Sequence, residues 1–109
     1  MKTILYGRFK KGLNSSSYSY ATMIVSPSSL VFVVGVLFRS RYEFRQEDVR
    51  RFHRTDAGLR IYHGRTDCPS PVVFKVALFK SQNLTLRTIK RSGFVARGGR
   101  FGNASAVAS

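Results

Sequence analysis

The chain has 109 residues, 43% of them hydrophobic and 13% aromatic, enough for one core and too much for a disordered polymer even at a net charge of +14. A single Cys excludes an internal disulfide framework, and one Cys with two His falls short of the four ligands of a structural zinc site. What remains is one small, very basic domain for which no catalytic residue, metal or cofactor is expected.

Residues 1–17 read as a flexible basic N-terminal segment. Ile4-Leu5-Tyr6 is too short an apolar run for a signal peptide, and Lys10-Lys11-Gly12-Leu13-Asn14-Ser15-Ser16-Ser17 is basic and rich in Ser. From Tyr18 to Val25 the chain alternates, with Tyr18, Tyr20, Thr22 and Ile24 on one side and Ala21, Met23 and Val25 on the other, which predicts a strand. The Tyr-bearing side is expected to face the core; the other reading is a stacking surface for single-stranded RNA. Ser26-Pro27-Ser28-Ser29 supplies a tight turn.

The longest apolar run, Leu30 to Phe38, would rise about 14 Å as a helix against a hydrocarbon core of about 30 Å, so no transmembrane span is expected. It reads as a strand buried on both faces, with Gly35 as a kink or bulge. Arg39-Ser40-Arg41 reverses the chain and Tyr42-Glu43-Phe44 resumes alternation. Residues 45–53 fit either a short helix or a turn at 45–48 followed by a strand, and the second is preferred. A turn at 56–58, a strand at 59–63, a breaker-rich loop at 64–71 and a strand at 72–79 follow. Ser81 is an N-cap for a helix over 82–92 with Leu84, Leu86 and Ile89 as its apolar stripe, Lys90 and Arg91 in its last turn and Gly93 at the terminating position. Residues 96–109 lack bulk and are expected to form a disordered tail.

The fold class is thus α+β, mainly β: a single domain over 18–95, a curved antiparallel sheet or partly open barrel of about five to six strands, closed by one C-terminal helix. That order, together with Ala21-Thr22-Met23-Ile24-Val25-Ser26-Pro27, Gly58-Leu59-Arg60-Ile61-Tyr62-His63 and Val72-Val73-Phe74, resembles bacterial pleckstrin-homology-like (PH-like) domains. The resemblance implies two sheets over a core, a capping helix in the segment Leu84 to Phe94, and a role as an interaction or oligomerisation module. Eukaryotic relatives of the fold hold phosphoinositide headgroups in an early hairpin loop, but the 26–29 turn here carries no Lys or Arg.

All five acids fall within residues 43–67, beside six Arg, whereas 1–42 and 68–109 carry six and seven cations and no acid. Such charge favours polyanions, and Arg, outnumbering Lys 13 to 6, suits bidentate contact with phosphate or carboxylate. Arg39, Arg41, Arg50, Arg51 and Arg54 are the candidate anion- or partner-binding set on a concave face, with solvated ion pairs to Glu43, Glu47 and Asp48 as the alternative. Arg97 and Arg100 sit in a tail resembling a single Arg-Gly-Gly RNA-binding segment. His63 and Cys68 admit a Cys/His pair, but a core His and a small loop residue are preferred. The expected function is a non-enzymatic interaction module, cytoplasmic and peripheral to the membrane, that binds a protein partner or an anionic lipid surface; the alternative is a small basic RNA- or DNA-binding protein.

Overall fold

The computed structural model describes residues 2–13, 17–77 and 83–98. In chain order these form β1 (Thr3–Lys11), β2 (Ser19–Val25), β3 (Ser29–Val34), β4 (Ser40–Arg45), β5 (Val49–Thr55), β6 (Gly58–His63), β7 (Val72–Val76) and α1 (Asn83–Arg91). Every neighbouring pair is antiparallel, in the spatial order β4-β3-β2-β1-β7-β6-β5. Two meanders, β1 to β4 and β5 to β7, therefore meet along the β1–β7 ladder, and the sheet curls into a half-barrel.

The strand that joins them lies in the segment expected to be flexible. Thr3, Leu5, Gly7 and Phe9 turn inward while Ile4, Tyr6, Arg8 and Lys10 alternate with them, so β1 has the period of a strand beneath its basic residues. With only Leu5 and Phe9 as large inward groups, it is held by backbone pairing on both sides: Thr3 to Phe9 with β2, and Gly7 to Lys11 with β7. Adding it brings the count to seven strands rather than five or six. Residues 14–16 lie outside the described residues.

In β2 the alternation is as read, but the inside is the other side. Ala21, Met23 and Val25 are buried and Tyr20 is 63% exposed. Phe9, Phe32, Phe44 and Phe74 already fill the interior. Phe32 is fully buried, with ring centroids of Phe9, Phe74 and Phe44 at 4.9, 5.7 and 6.0 Å. A tightly curved inner face admits small and flexible partners opposite such rings.

The apolar run breaks earlier than expected. β3 ends at Val34: the Gly35 N–H still donates to the Tyr20 carbonyl at 2.8 Å, in register with β2, but Gly35 adopts φ +106° and turns the chain out of the strand. A Cβ at Gly35 would stand 2.3 Å from the Phe38 carbonyl oxygen, so the loop closes only around glycine. Val36, Leu37 and Phe38 are consequently in a loop and exposed, not in a buried strand. The turn at 46–48 and strand β5 agree with the preferred reading of 45–53, with a register shift between Val49 and Arg51.

Helix α1 packs against β5 and β7 and buries Thr85, Thr88 and Ile89, with Leu84 and Leu86 half-buried against the core. Lys90 and Arg91 occupy its last turn, and Gly93, at φ +87°, donates to the Lys90 carbonyl at 3.1 Å. Phe94 is buried edge-on to Phe52, at 6.3 Å. Residues 96–98, expected to open a disordered tail, are held instead. The Arg97 N–H donates to the Gln46 carbonyl at 2.8 Å, and Gly98 lies so close to the β4–β5 turn that a Cβ would meet the Glu47 carbonyl at 2.5 Å. The rest of that tail, the cap at Ser81, the helix position at 82 and the strand positions Leu78 and Phe79 lie outside the described residues. Among the described residues no helix is long and apolar enough to cross a membrane.

Candidate interaction surface

Alternation in β1, β2 and β7 sends Tyr6, Arg8, Tyr20, Thr22 and Lys75 to the outer face of the half-barrel. The register lays Arg8 directly between Tyr20 on β2 and Lys75 on β7. The Arg8 guanidinium carbon stands 5.5 Å from the Tyr20 ring centroid, and one step along the strand Lys10 Nζ lies 4.8 Å from that of Tyr18. Such stacking favours a cation over the ring face and holds it in place.

Around this row runs an open groove of about 770 Å³, with Tyr6, Arg8, Tyr20, Gly35, Arg39 and Lys75 among its lining residues. It carries three cations and no carboxylate. Every acid of the chain lies in 43–67, outside the strands that line the groove, and among the described residues the ion pairs are Arg41–Glu43 and Arg65–Asp67, neither in the groove. Gly35 and Arg39 are also the feet of the β3–β4 loop. At its tip Leu37 is 88% and Phe38 92% exposed. A fully exposed Leu-Phe pair beside a cationic groove forms an apolar point with a basic rim.

The sequence-predicted Arg residues are not gathered on one face. Arg39 lines the groove, whereas Arg41 on β4 is 3.3 Å from Glu43. Arg50, Arg51 and Arg54 lie on β5, which follows β4 through the turn at 46–48 but does not pair with it. There Arg50 rests against Gly64, Arg51 stacks on Tyr62 at 4.3 Å, and the exposed Arg54 stands opposite Leu59 in the β5–β6 register. Arg97 Nε donates to Gln46 Oε1 at 2.8 Å, and Gln46 donates in turn to the Pro27 carbonyl at 2.6 Å. Arg97 thus ties the C-terminal segment to two turns. Arg100 lies outside the described residues. Tyr20 was weighed as a stacking residue but placed in the core, and Tyr6, Arg8 and Lys75 were missed; the signal for them was the odd–even alternation of residues 3–11, which would have carried Arg8 onto the Tyr20 face.

His63 and Cys68 do not make a working pair. His63 Nε2 lies 2.9 Å from the Pro69 carbonyl, and Nδ1 accepts the Arg65 N–H at 3.1 Å, so both nitrogens are engaged by backbone. Burial pushes the Cys68 thiol pKa up, away from the reactive thiolate. Among the described residues no three His, Cys, Asp or Glu side chains are grouped to hold a metal ion.

No family model, curated protein or solved structure matches the chain.

Proposed function

We propose that the protein is a non-enzymatic interaction module of the pleckstrin-homology-like kind that docks on an anionic membrane surface, with the 35–39 loop entering the interface and the cationic groove facing the headgroups. One observation carries the reading: the apolar tip, at Leu37 and Phe38, stands almost fully in water on a loop whose foot is Arg39. Burying a side chain of that size is worth about 1.5–3 kcal/mol, and each Lys or Arg near an anionic surface adds about 1 kcal/mol. Neither contribution alone anchors a protein; together they reach useful affinity. The seven-strand order with a C-terminal helix supports the PH-like resemblance. Its lipid contact is then the outer face and the β3–β4 loop, not the 26–29 turn, which has no cation.

The test is sedimentation with phosphatidylglycerol-containing vesicles at low salt. Wild type should pellet, and a Leu37→Ser/Phe38→Ser variant should lose at least about tenfold in partitioning, the equivalent of 1.4 kcal/mol. Wild type remaining in the supernatant, or a variant pelleting equally, overturns the proposal and leaves a protein partner as the occupant of the basic ends.

A second reading, single-stranded nucleic acid, is favoured by the exposed Tyr6 and Tyr20 interleaved with Arg8, Lys10 and Lys75 on adjacent strands. It requires affinity for a labelled oligonucleotide that falls steeply with salt, about a thousandfold between 50 and 200 mM for some six phosphate contacts. A flat salt response removes it.

A further inference from the structure

We infer that the β6–β7 loop is a latch, closed on β4 by Arg65 and opened by acid, with His63 as the group that takes up the proton. It uses no residue of the groove or of the 35–39 loop, so it stands or falls apart from the membrane reading.

Residues 64–71 follow a ring whose protonation state is dictated by its partners. Both partners are backbone groups and cannot exchange roles. The Pro69 carbonyl can only accept, so Nε2 carries the hydrogen and donates to it at 2.9 Å; the Arg65 N–H can only donate, so Nδ1 is the bare nitrogen that accepts it at 3.1 Å. The ring is 3% exposed and packs on Phe44 with centroids 4.8 Å apart. A proton added at Nδ1 would point at the Arg65 N–H. The neutral ring therefore fits the closed loop, and the imidazolium does not.

Arg65 carries the latch itself. Its guanidinium carbon stands 5.5 Å from the Phe44 centroid, Nη1 donates to the Glu43 carbonyl, and Asp67 steadies it by accepting from Nε at 2.9 Å. β4 ends the strand order, and its last residue is already covered: Asp48 Oδ2 accepts the Arg45 N–H at 3.0 Å and the Asp48 N–H donates to the Arg45 carbonyl at 3.0 Å. With Arg65 in place, Glu43 is covered as well, which blunts the edge against strand addition. In the same loop Cys68 is 6% exposed, so opening bares a thiol along with the edge.

The charged and titratable groups around the ring oppose a second positive charge. Its own loop brings Arg65, Asp67 and Cys68; Arg50 of β5 rests against Gly64, Asp48 of the β4–β5 turn accepts the Gly64 N–H at 2.9 Å, and Lys11 of β1 lies near Cys68. β4 offers the ring only Phe44, its Glu43 carboxylate being 3.3 Å from Arg41. Asp67 does not yield to acid first, because the Arg65 hydrogen bond holds its carboxyl below the usual range. Imidazole is the side chain that ordinarily takes up a proton between about pH 5 and 8. The open loop binds one proton more than the closed one, so opening grows as pH falls, by up to about tenfold per pH unit.

The test is the rate at which dipyridyl disulfide labels Cys68, the single Cys, divided at each pH by the rate for the urea-unfolded chain. From about pH 7.5 to about pH 5.5 this quotient should rise at least about tenfold while the far-ultraviolet circular dichroism holds. His63→Gln keeps a donor and an acceptor but takes no proton, and its quotient should stay flat. His53→Gln changes the other histidine, exposed on β5, and should follow wild type. Arg65→Ala should raise the quotient already at neutral pH. A wild-type quotient that does not rise, a rise shared by His63→Gln, or a rise seen only as the dichroism is lost overturns the latch; Arg65→Ala labelling as slowly as wild type overturns the part given to Arg65. Should His63→Gln fail to fold, the Arg65 amide of wild type decides by nuclear magnetic resonance: its hydrogen-bonded shift should vanish as the His63 ring titrates, and a shift that survives the titration overturns the proposal.

Discussion

Replacing Lys75 by Glu should make the folded protein more stable. Lys75 faces Arg8 across the β1–β7 ladder with no acid lining the groove around them. Directly opposed charges on a sheet contribute about 0.2–1 kcal/mol, favourable when opposite and unfavourable when alike. Turning a repulsive pair into an attractive one therefore swings stability by about 1 kcal/mol, or about 4–8 °C in melting temperature for a domain of this size. The assay is thermal unfolding followed by circular dichroism at low ionic strength and again near 1 M salt, where the screening length falls to about 3 Å and the gain should shrink. Arg8→Glu should behave alike, and the double reversal Arg8→Glu/Lys75→Glu should return to the neighbourhood of wild type. A Lys75→Glu protein that melts at or below wild type at low salt, or a gain that ignores salt, refutes the argument that this pair is strained by its own charge.

Gly7→Ala should destabilise by about 1–3 kcal/mol in urea unfolding, since the new Cβ would stand 2.2 Å from the Lys75 carbonyl oxygen, a backbone atom that yields only if the β1–β7 ladder opens; an unchanged midpoint contradicts this. Thr85→Val should stabilise by about 1 kcal/mol, because the buried Thr85 hydroxyl has no hydrogen-bond partner among the described residues and valine keeps its shape; a lower melting temperature contradicts this. Iodoacetamide should label Cys68 more slowly than an unstructured thiol, burial having raised its pKa. With the folded pKa above the unfolded one, the stability from this group is present below the ordinary thiol value and is lost as pH rises toward the folded pKa. Cys68→Ala should flatten that alkaline decline, and a decline unaltered in the variant would sink the assignment.

Strands with a large apolar group at every second position were legible in the sequence, as in Val72, Phe74 and Val76, and so was the helix with its Lys90-Arg91 and Gly93 ending. Three features were not, each for its own physical reason. Residues 3–11 carry their period on only Leu5 and Phe9 among large side chains, and what fixes them is pairing to a strand from the far end of the chain. The inner side of β2 was misassigned because area favours tyrosine, while the space left by four Phe rings favours Ala21 and Met23. Leu37 and Phe38 read as core by hydropathy alone; only the backbone at Gly35 throws them into solvent. The groove shares the first difficulty, since Arg8 and Lys75 become neighbours only through a register that no short window of sequence contains.

The position of β1 also orders assembly. Its partner β2 is adjacent in the chain, but its other edge, from Gly7 to Lys11, waits for residues 72–76. During synthesis from the N-terminus the first meander can zip while that edge stands bare, studded with Arg8, Lys10 and Lys11, the kind of charge that deters a stray strand from adding on. The basic residues on this strand thus guard an unfinished seam before they face any ligand, and the last strand to emerge is the one that seals it.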